Sequence, residues 1–135
     1  MIRNQRGFTL IEIIAVLVIL GILAAVAVPR YLDLAAEAKT RAAEAQIAEI
    51  KSTLNLAYAR LFISTGTAPA EDNAAAVVTN AAFPAGTGGF ALGTSPDIWY
   101  FNITTSDGTA TINVTARDTD TDYSATGTWN VPPAP

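Results

Sequence analysis

Residues 7–31 read GFTLIEIIAVLVILGILAAVAVPRY, and this stretch decides the architecture of the 135-residue chain. From Ile13 to Val28 it runs 16 residues without a charge. Counted from Phe8 the run is 21 residues long, interrupted only by Thr9 and Glu12. As a helix rising about 1.5 Å per residue it measures about 31 Å, and the hydrocarbon core of a bilayer is about 30 Å thick. The run is apolar on every side, and nothing else in the chain is large enough to bury it as the core helix of a soluble domain. A cleavable secretory signal is the competing reading, with Ala24-Ala25-Val26-Ala27 imitating its small-residue cleavage site. Here, however, the chain passes from Pro29 directly into an amphipathic helix, as if the apolar part were its first half.

Glu12 is the informative residue of this stretch. A carboxylate inside a membrane helix costs roughly 2.5–3.5 kcal/mol on insertion scales, so it needs a partner or a place in the headgroup layer. Cutting the chain between Gly7 and Phe8 creates an α-amino group at Phe8, four residues and about one helical turn from Glu12. The amine and the carboxylate then neutralise each other, within one subunit or between two.

The remainder divides by composition. Residues 1–7, MIRNQRG, are polar and basic and read as a leader. Residues 30–63 are rich in alanine and charge and read as a helix, with Ile47, Ile50, Leu54 and Leu61 forming one stripe. Glu37, Arg41 and Glu44 lie on another face with helical pair spacing. Joined to the apolar part, this helix runs from about Phe8 to Ile63, roughly 84 Å if straight. From Ser64 onward lie 14 of the 17 threonines and six of the seven prolines, which changes the reading to turns and strands. Residues 64–95 read as a connecting loop with a short helix at 71–80. Residues 96–135 read as three antiparallel strands: Ile98–Thr105, then Ala110 to Ala116, then Tyr123 to Val131. Ser106-Asp107-Gly108 turns the chain between the first two. The expected fold class is α+β, a long N-terminal helix packed on a small antiparallel sheet that is too small to fold without it.

Composition removes most other functions. The chain has no cysteine and no histidine, so it has no disulfide framework, no Ser-His-Asp triad and none of the usual zinc ligands. No enzymatic nucleophile–base pair is expected. The net charge of −4 comes without a basic stripe, which speaks against nucleic acid as a partner. Asp118, Asp120 and Asp122 recur at every second position, as at the start of an EF-hand loop. Tyr123 stands where that loop needs glycine and the distal glutamate is missing, so by themselves these residues read as a solvated acidic loop. Asn102-Ile-Thr and Asn113-Val-Thr match the glycosylation sequon, a triplet that arises easily in strands rich in threonine and asparagine.

The segment Arg6-Gly7-Phe8-Thr9-Leu10-Ile11-Glu12, continued through Val18-Ile19-Leu20-Gly21-Ile22-Leu23-Ala24-Ala25 to Pro29-Arg30-Tyr31, resembles the class III signal of the type IV pilin superfamily. That family includes the pseudopilins of type II secretion. The likeness is close over residues 1–33 and only architectural beyond. It implies that a membrane prepilin peptidase cuts after Gly7 and that Phe8 becomes the N-methylated mature terminus. It implies that Glu12 pairs with the Phe8 amine of a neighbouring subunit and sets the assembly register. It implies that Gly21 and Pro29 bracket the part of the stem that loosens in the filament. Positive charges near the two ends of the apolar run are balanced, so only the resemblance places the leader in the cytoplasm.

The same resemblance gives the expected partners: further copies of the chain, the peptidase, the inner membrane before assembly, and an assembly platform with its ATPase. The product is an extracellular or periplasmic filament. Type IV pilins close a C-terminal loop with two cysteines, which are missing here. Major pseudopilins carry Gly-x-aromatic-Pro after the helix, where this chain has Gly66-Thr67-Ala68-Pro69. Their calcium-binding loop makes calcium the one cofactor candidate, at Asp118, Asp120 and Asp122. Pro29-Arg30-Tyr31-Leu32-Asp33-Leu34 leans to the pilin side, so a pilus subunit is the main expectation and a major pseudopilin the alternative. A membrane-tethered binding domain that never polymerises leaves the charge of Glu12 unexplained.

Overall fold

The computed structural model describes residues 7–86 and 88–133; the expected leader lies outside these except for Gly7. The chain forms two compact units, one ending at Ala36 and one beginning at Glu37. A single long helix, α1 (Leu10–Thr65), contributes to both.

In the first unit α1 begins after Thr9, whose carbonyl accepts the amides of Glu12 and Ile13 at 3.1 and 3.3 Å. Gly21 and Pro29 both lie within the helix, which is unbroken at either. Pro29 brings no N–H and so removes one i→i−4 bond. The large apolar side chains of this unit are exposed, from 48% at Ile13 to 84% at Phe8, although apolar side chains of this size are ordinarily buried. The helix is long and apolar enough to cross a membrane.

The second unit has a true core. The α1 stripe of Ala43, Ile47, Ile50, Leu54 and Ala57 is buried against the sheet, and Leu61, the last member of the expected stripe, is half-buried beside it. Gly66, at φ +70°, closes the helix by donating its N–H to the Phe62 carbonyl at 2.9 Å. The short helix α2 (Ala74–Ala81) follows, its N-terminus capped by the Asn73 side chain, which accepts from the Ala76 amide at 3.1 Å.

Five strands form one antiparallel meander in sequence order: β1 (Ala85–Gly86), β2 (Gly89–Leu92), β3 (Trp99–Ser106), β4 (Thr109–Arg117) and β5 (Ala125–Asn130). The last three are the strands expected from alternation. The first two form within the stretch expected to be loop. They are short and glycine-rich, and their place is set by tertiary contact. Phe90 packs on Phe83 and Phe101 with ring centroids 5.8 and 5.7 Å apart. Asp107 and Gly108, both at positive φ, make the tight β3–β4 turn.

Register separates the two faces of the sheet. Phe101↔Val114 and Ile103↔Ile112 point inward, with Ala110 opposite Trp129. Gly127 lies opposite Ile112, and a Cβ there would stand 2.6 Å from Ile47 Cγ2, so this strand needs glycine to approach α1. Trp129 Nε1 donates to Asn55 Oδ1 at 2.8 Å, joining β5 to the same helix. Outward, three rows cross β3, β4 and β5: Asn102–Asn113–Thr126, Thr104–Thr111–Thr128 and Ser106–Thr109–Asn130.

Candidate assembly site at the start of the first helix

Gly7 and Phe8 are exposed ahead of α1, and a Cβ at Gly7 would meet nothing within 4 Å. The next residues make a reciprocal cap. The Thr9 amide and the Thr9 hydroxyl both donate to Glu12 Oε2, each at 2.8 Å. The Glu12 amide in turn lies 3.4 Å from the Thr9 hydroxyl oxygen. This is a capping box, in which a hydroxyl residue and an acid three positions later satisfy each other's backbone donors.

The box fixes the carboxylate at the first turn, beside the positive end of the helix dipole. It uses one carboxylate oxygen twice, and a carboxylate has about four lone-pair sites. Acceptor capacity therefore remains for a further cation. Hydrolysis of the Gly7–Phe8 bond would place an ammonium one residue before Thr9. Thr9 was not singled out from the sequence, although the pattern T-x-x-E ahead of an apolar run was there to be read.

A second polar cluster lies in the other unit. Lys39 Nζ donates to Asp120 at 2.7 Å and to Asp122 at 3.0 Å, and it stands 5.4 Å from the centre of the Tyr123 ring. Arg117 bonds Asp97 and lies 5.5 Å from the rings of Trp99 and Tyr123. The two carboxylates raise the Lys39 pKa through their hydrogen bonds. Lys39 first, and the Asp122 amide second, hold the Asp120 carboxyl below its ordinary value. Asp97 first, and Tyr123 second, push the Arg117 guanidinium up. This cluster ties the β4–β5 connection to α1 and β3.

The three aspartates named as a calcium candidate are not gathered into a cage. Asp120 and Asp122 share Lys39, while Asp118, at φ +52°, uses its amide to bond the Ile98 carbonyl at 2.6 Å. Among the described residues no group of three or more histidines, cysteines or acids is placed to hold a metal ion. In this arrangement the Lys39 ammonium bonds the Asp120 and Asp122 carboxylates.

The family model of the prokaryotic N-terminal methylation motif matches residues 2–28. Over 54 residues, 40% of this chain, the sequence is 48% identical to the type II secretion system core protein G of Pseudomonas aeruginosa, covering 38% of that protein. It is 44% identical, also over 54 residues and 40% of this chain, to the type IV narrow pilus major component PilA5 of Thermus thermophilus, covering 47% of it. A fimbrial protein of Neisseria meningitidis is 40% identical over 76 residues, which is 56% of this chain and 42% of that one. The matches thus span less than half the length of each of these relatives. No solved structure matches significantly.

The first unit has an exposed apolar helix with a capped acid at its start, and the second a helix-backed antiparallel sheet, an α+β arrangement consistent with the prepilin type. Over its N-terminal part the chain is thus similar both to type IV pilins and to type II secretion core proteins, with the methylation motif confined to residues 2–28.

Proposed function

We propose that this chain is the structural subunit of a type IV pilus-like helical filament, drawn from the inner membrane after prepilin peptidase cuts between Gly7 and Phe8 and the new terminus is methylated. The single observation that carries this reading is the Glu12 carboxylate, held at the start of α1 in front of 16 uncharged residues. The cap uses only part of its acceptor capacity, so the charge can still be met by a cation. The Phe8 amine of a neighbouring copy supplies that cation and fixes the register between subunits.

Energetics give the order of events. In lipid the stem is already in an apolar solvent, so packing stems together gains little hydrophobic free energy. Assembly then needs the Glu12 pairing for register and an ATP-driven platform for work. Outside the membrane the eleven large aliphatic residues between Ile13 and Val28 would each cost about 1.5–3 kcal/mol if wetted. Stems must stay packed, and subunits leave only by returning to lipid. Gly21 and Pro29 are where the helix is cheapest to open, since glycine costs about 1 kcal/mol and proline about 3 kcal/mol in a helix interior.

A major pseudopilin of type II secretion is the second reading. It is favoured by the lack of cysteine and by the 48% identity over 54 residues to a type II secretion core protein G. Both readings make the chain a polymer subunit and not an enzyme. Expression in a host with a prepilin peptidase and an assembly platform tests the common claim: thin filaments containing the processed chain are expected. A chain that keeps residues 1–7 and stays monomeric in the membrane overturns it. Filaments on the cell surface favour the pilus, and short periplasmic filaments that depend on the secretion machinery favour the pseudopilin.

A further inference from the structure

Arg30 closes the apolar run at the end away from Glu12. It follows Pro29, and after it come Tyr31, Leu32 and Leu34, all exposed. Glu12 and Arg30 both lie in α1 within the first unit. They are 18 positions apart, which is about five turns and about 27 Å of helix. Five whole turns bring the two charges back to the same face. Bilayer hydrocarbon is about 27–30 Å thick, so an acid marks one boundary of the span and a cation the other.

Arg30 is also the cation at that boundary without a partner in the chain. The next two cations are both engaged. Lys39 is bonded to Asp120 and Asp122, and Arg41 lies 3.6 Å from Glu37 and 3.0 Å from Glu44. Arg30 is exposed and makes no ion pair among the described residues, although Asp33 stands three positions on. Its guanidinium carries five N–H donors in a planar fork, which fits a phosphate at two points. Tyr31 beside it is of the residue type that collects at headgroup level, with an apolar ring and a polar tip. At the opposite boundary the Glu12 carboxylate repels phosphate, so the span is electrostatically one-sided.

We propose that Arg30, with Tyr31 beside it, binds the phosphate of an anionic phospholipid headgroup at the membrane boundary farther from Glu12, and so fixes how deep the stem sits. This rests on the stem being inserted in the membrane, as in the proposed function, and concerns the subunit before it enters a filament. The contact must break when the subunit is drawn out.

The test places the full-length chain in phosphatidylcholine vesicles. Electron spin resonance of acyl-chain-labelled phosphatidylglycerol and phosphatidylcholine reads lipid preference, and flotation after an alkaline wash checks insertion. The wild-type chain is expected to hold phosphatidylglycerol in preference. Arg30→Lys should keep most of that preference, and Arg30→Gln should lower it about fivefold, the effect of one basic residue at an anionic surface. The leader carries Arg3 and Arg6 in every variant, so the difference belongs to Arg30. The chain has no cysteine, so single cysteines report depth. Val28 and Leu34 are 56% and 65% exposed in the chain itself. Lipid alone should therefore shield Val28→Cys from a water-soluble maleimide and leave Leu34→Cys open. Four results would each overturn the proposal: unchanged preference in inserted Arg30→Gln, equal labelling of the two cysteines, loss of the preference when phosphate replaces chloride at equal ionic strength, or a preference that arises only in vesicles crowded with chain. The third would assign Arg30 to free phosphate and the fourth to an acid of a neighbouring copy. Failure of the wild-type chain to insert would overturn the membrane reading as well.

Discussion

The Glu12 carboxylate accepts from both the amide and the hydroxyl of Thr9, each at 2.8 Å and both on the same oxygen. The acid that should set register between subunits thus already has a local role in its own helix. Loss of assembly after deleting Glu12 would not by itself distinguish a missing charge from a frayed helix start.

Two variants separate these roles. Glu12→Gln keeps a side-chain acceptor for Thr9 and removes the charge. Thr9→Val keeps the charge and removes the hydroxyl of the cap, a loss of about 1 kcal/mol. Glu12→Gln should be inserted and processed but should not form filaments, whereas Thr9→Val should still assemble, with reduced yield. Electron micrographs of sheared filaments, with mass spectrometry of the membrane fraction, provide the comparison. Filaments of normal number from Glu12→Gln would leave the cap as the residue's only role.

Gly7→Arg should stop processing. A Cβ at Gly7 meets nothing within 4 Å, so the substitution has room in the fold and its expected effect is on recognition by the peptidase. The expected product is a membrane-inserted chain that is heavier than the mature form by residues 1–7 and carries no methyl group at Phe8. Intact mass spectrometry reads both. A mature, methylated product would remove Gly7 from the cleavage signal.

The stem was legible because it needs no partner residue to interpret: a run of 16 uncharged residues has one solvent in which it is stable. The α1 stripe and β3 to β5 were legible from periods of 3.6 and 2. The β1–β2 hairpin was not, because two and four residues carry too little alternation, and Phe90 reveals its role only when Phe83 and Phe101 are beside it. Lys39 was equally hidden. Its partners lie 81 and 83 residues away, and nothing local distinguishes it from any other helix lysine.

That lysine gives a pH prediction. Asp120 is held below the ordinary aspartate value of 3.8, so its contribution to docking the β4–β5 connection is complete above that value and fades as pH falls through the depressed one. Lys39 is raised above its ordinary 10.5, so its contribution is complete below 10.5 and fades only as pH rises through the raised value. Hydrogen-exchange protection in residues 118–124, measured relative to the intrinsic rate at each pH, should therefore hold across neutral pH and fall only at the extremes. Lys39→Met should lower it at neutral pH without unfolding the sheet. Millimolar calcium should change nothing in the wild-type chain, since the ammonium holds both carboxylates. Calcium-dependent protection of this segment would instead point to a metal site.

Gly127 is where the sheet comes closest to the helix. A Cβ there would lie 2.6 Å from Ile47 Cγ2 and 3.6 Å from Lys51 Cε. The lysine is flexible and can move aside, but Ile47 is buried at 5% exposure and its neighbours Ala43 and Ile50 are buried completely. Relief must come from β5 shifting outward, which also strains the Trp129 bond to Asn55 on the same strand. Gly127→Val should therefore destabilise the second unit by about 1–3 kcal/mol, the usual cost of overpacking. Thr128→Val, one residue along and pointing outward, should cost little. Thermal denaturation of the full chain in micelles, followed by Trp129 fluorescence, makes the comparison. Equal midpoints for the two variants would mean that helix and sheet do not meet at Gly127 as closely as the structure has them.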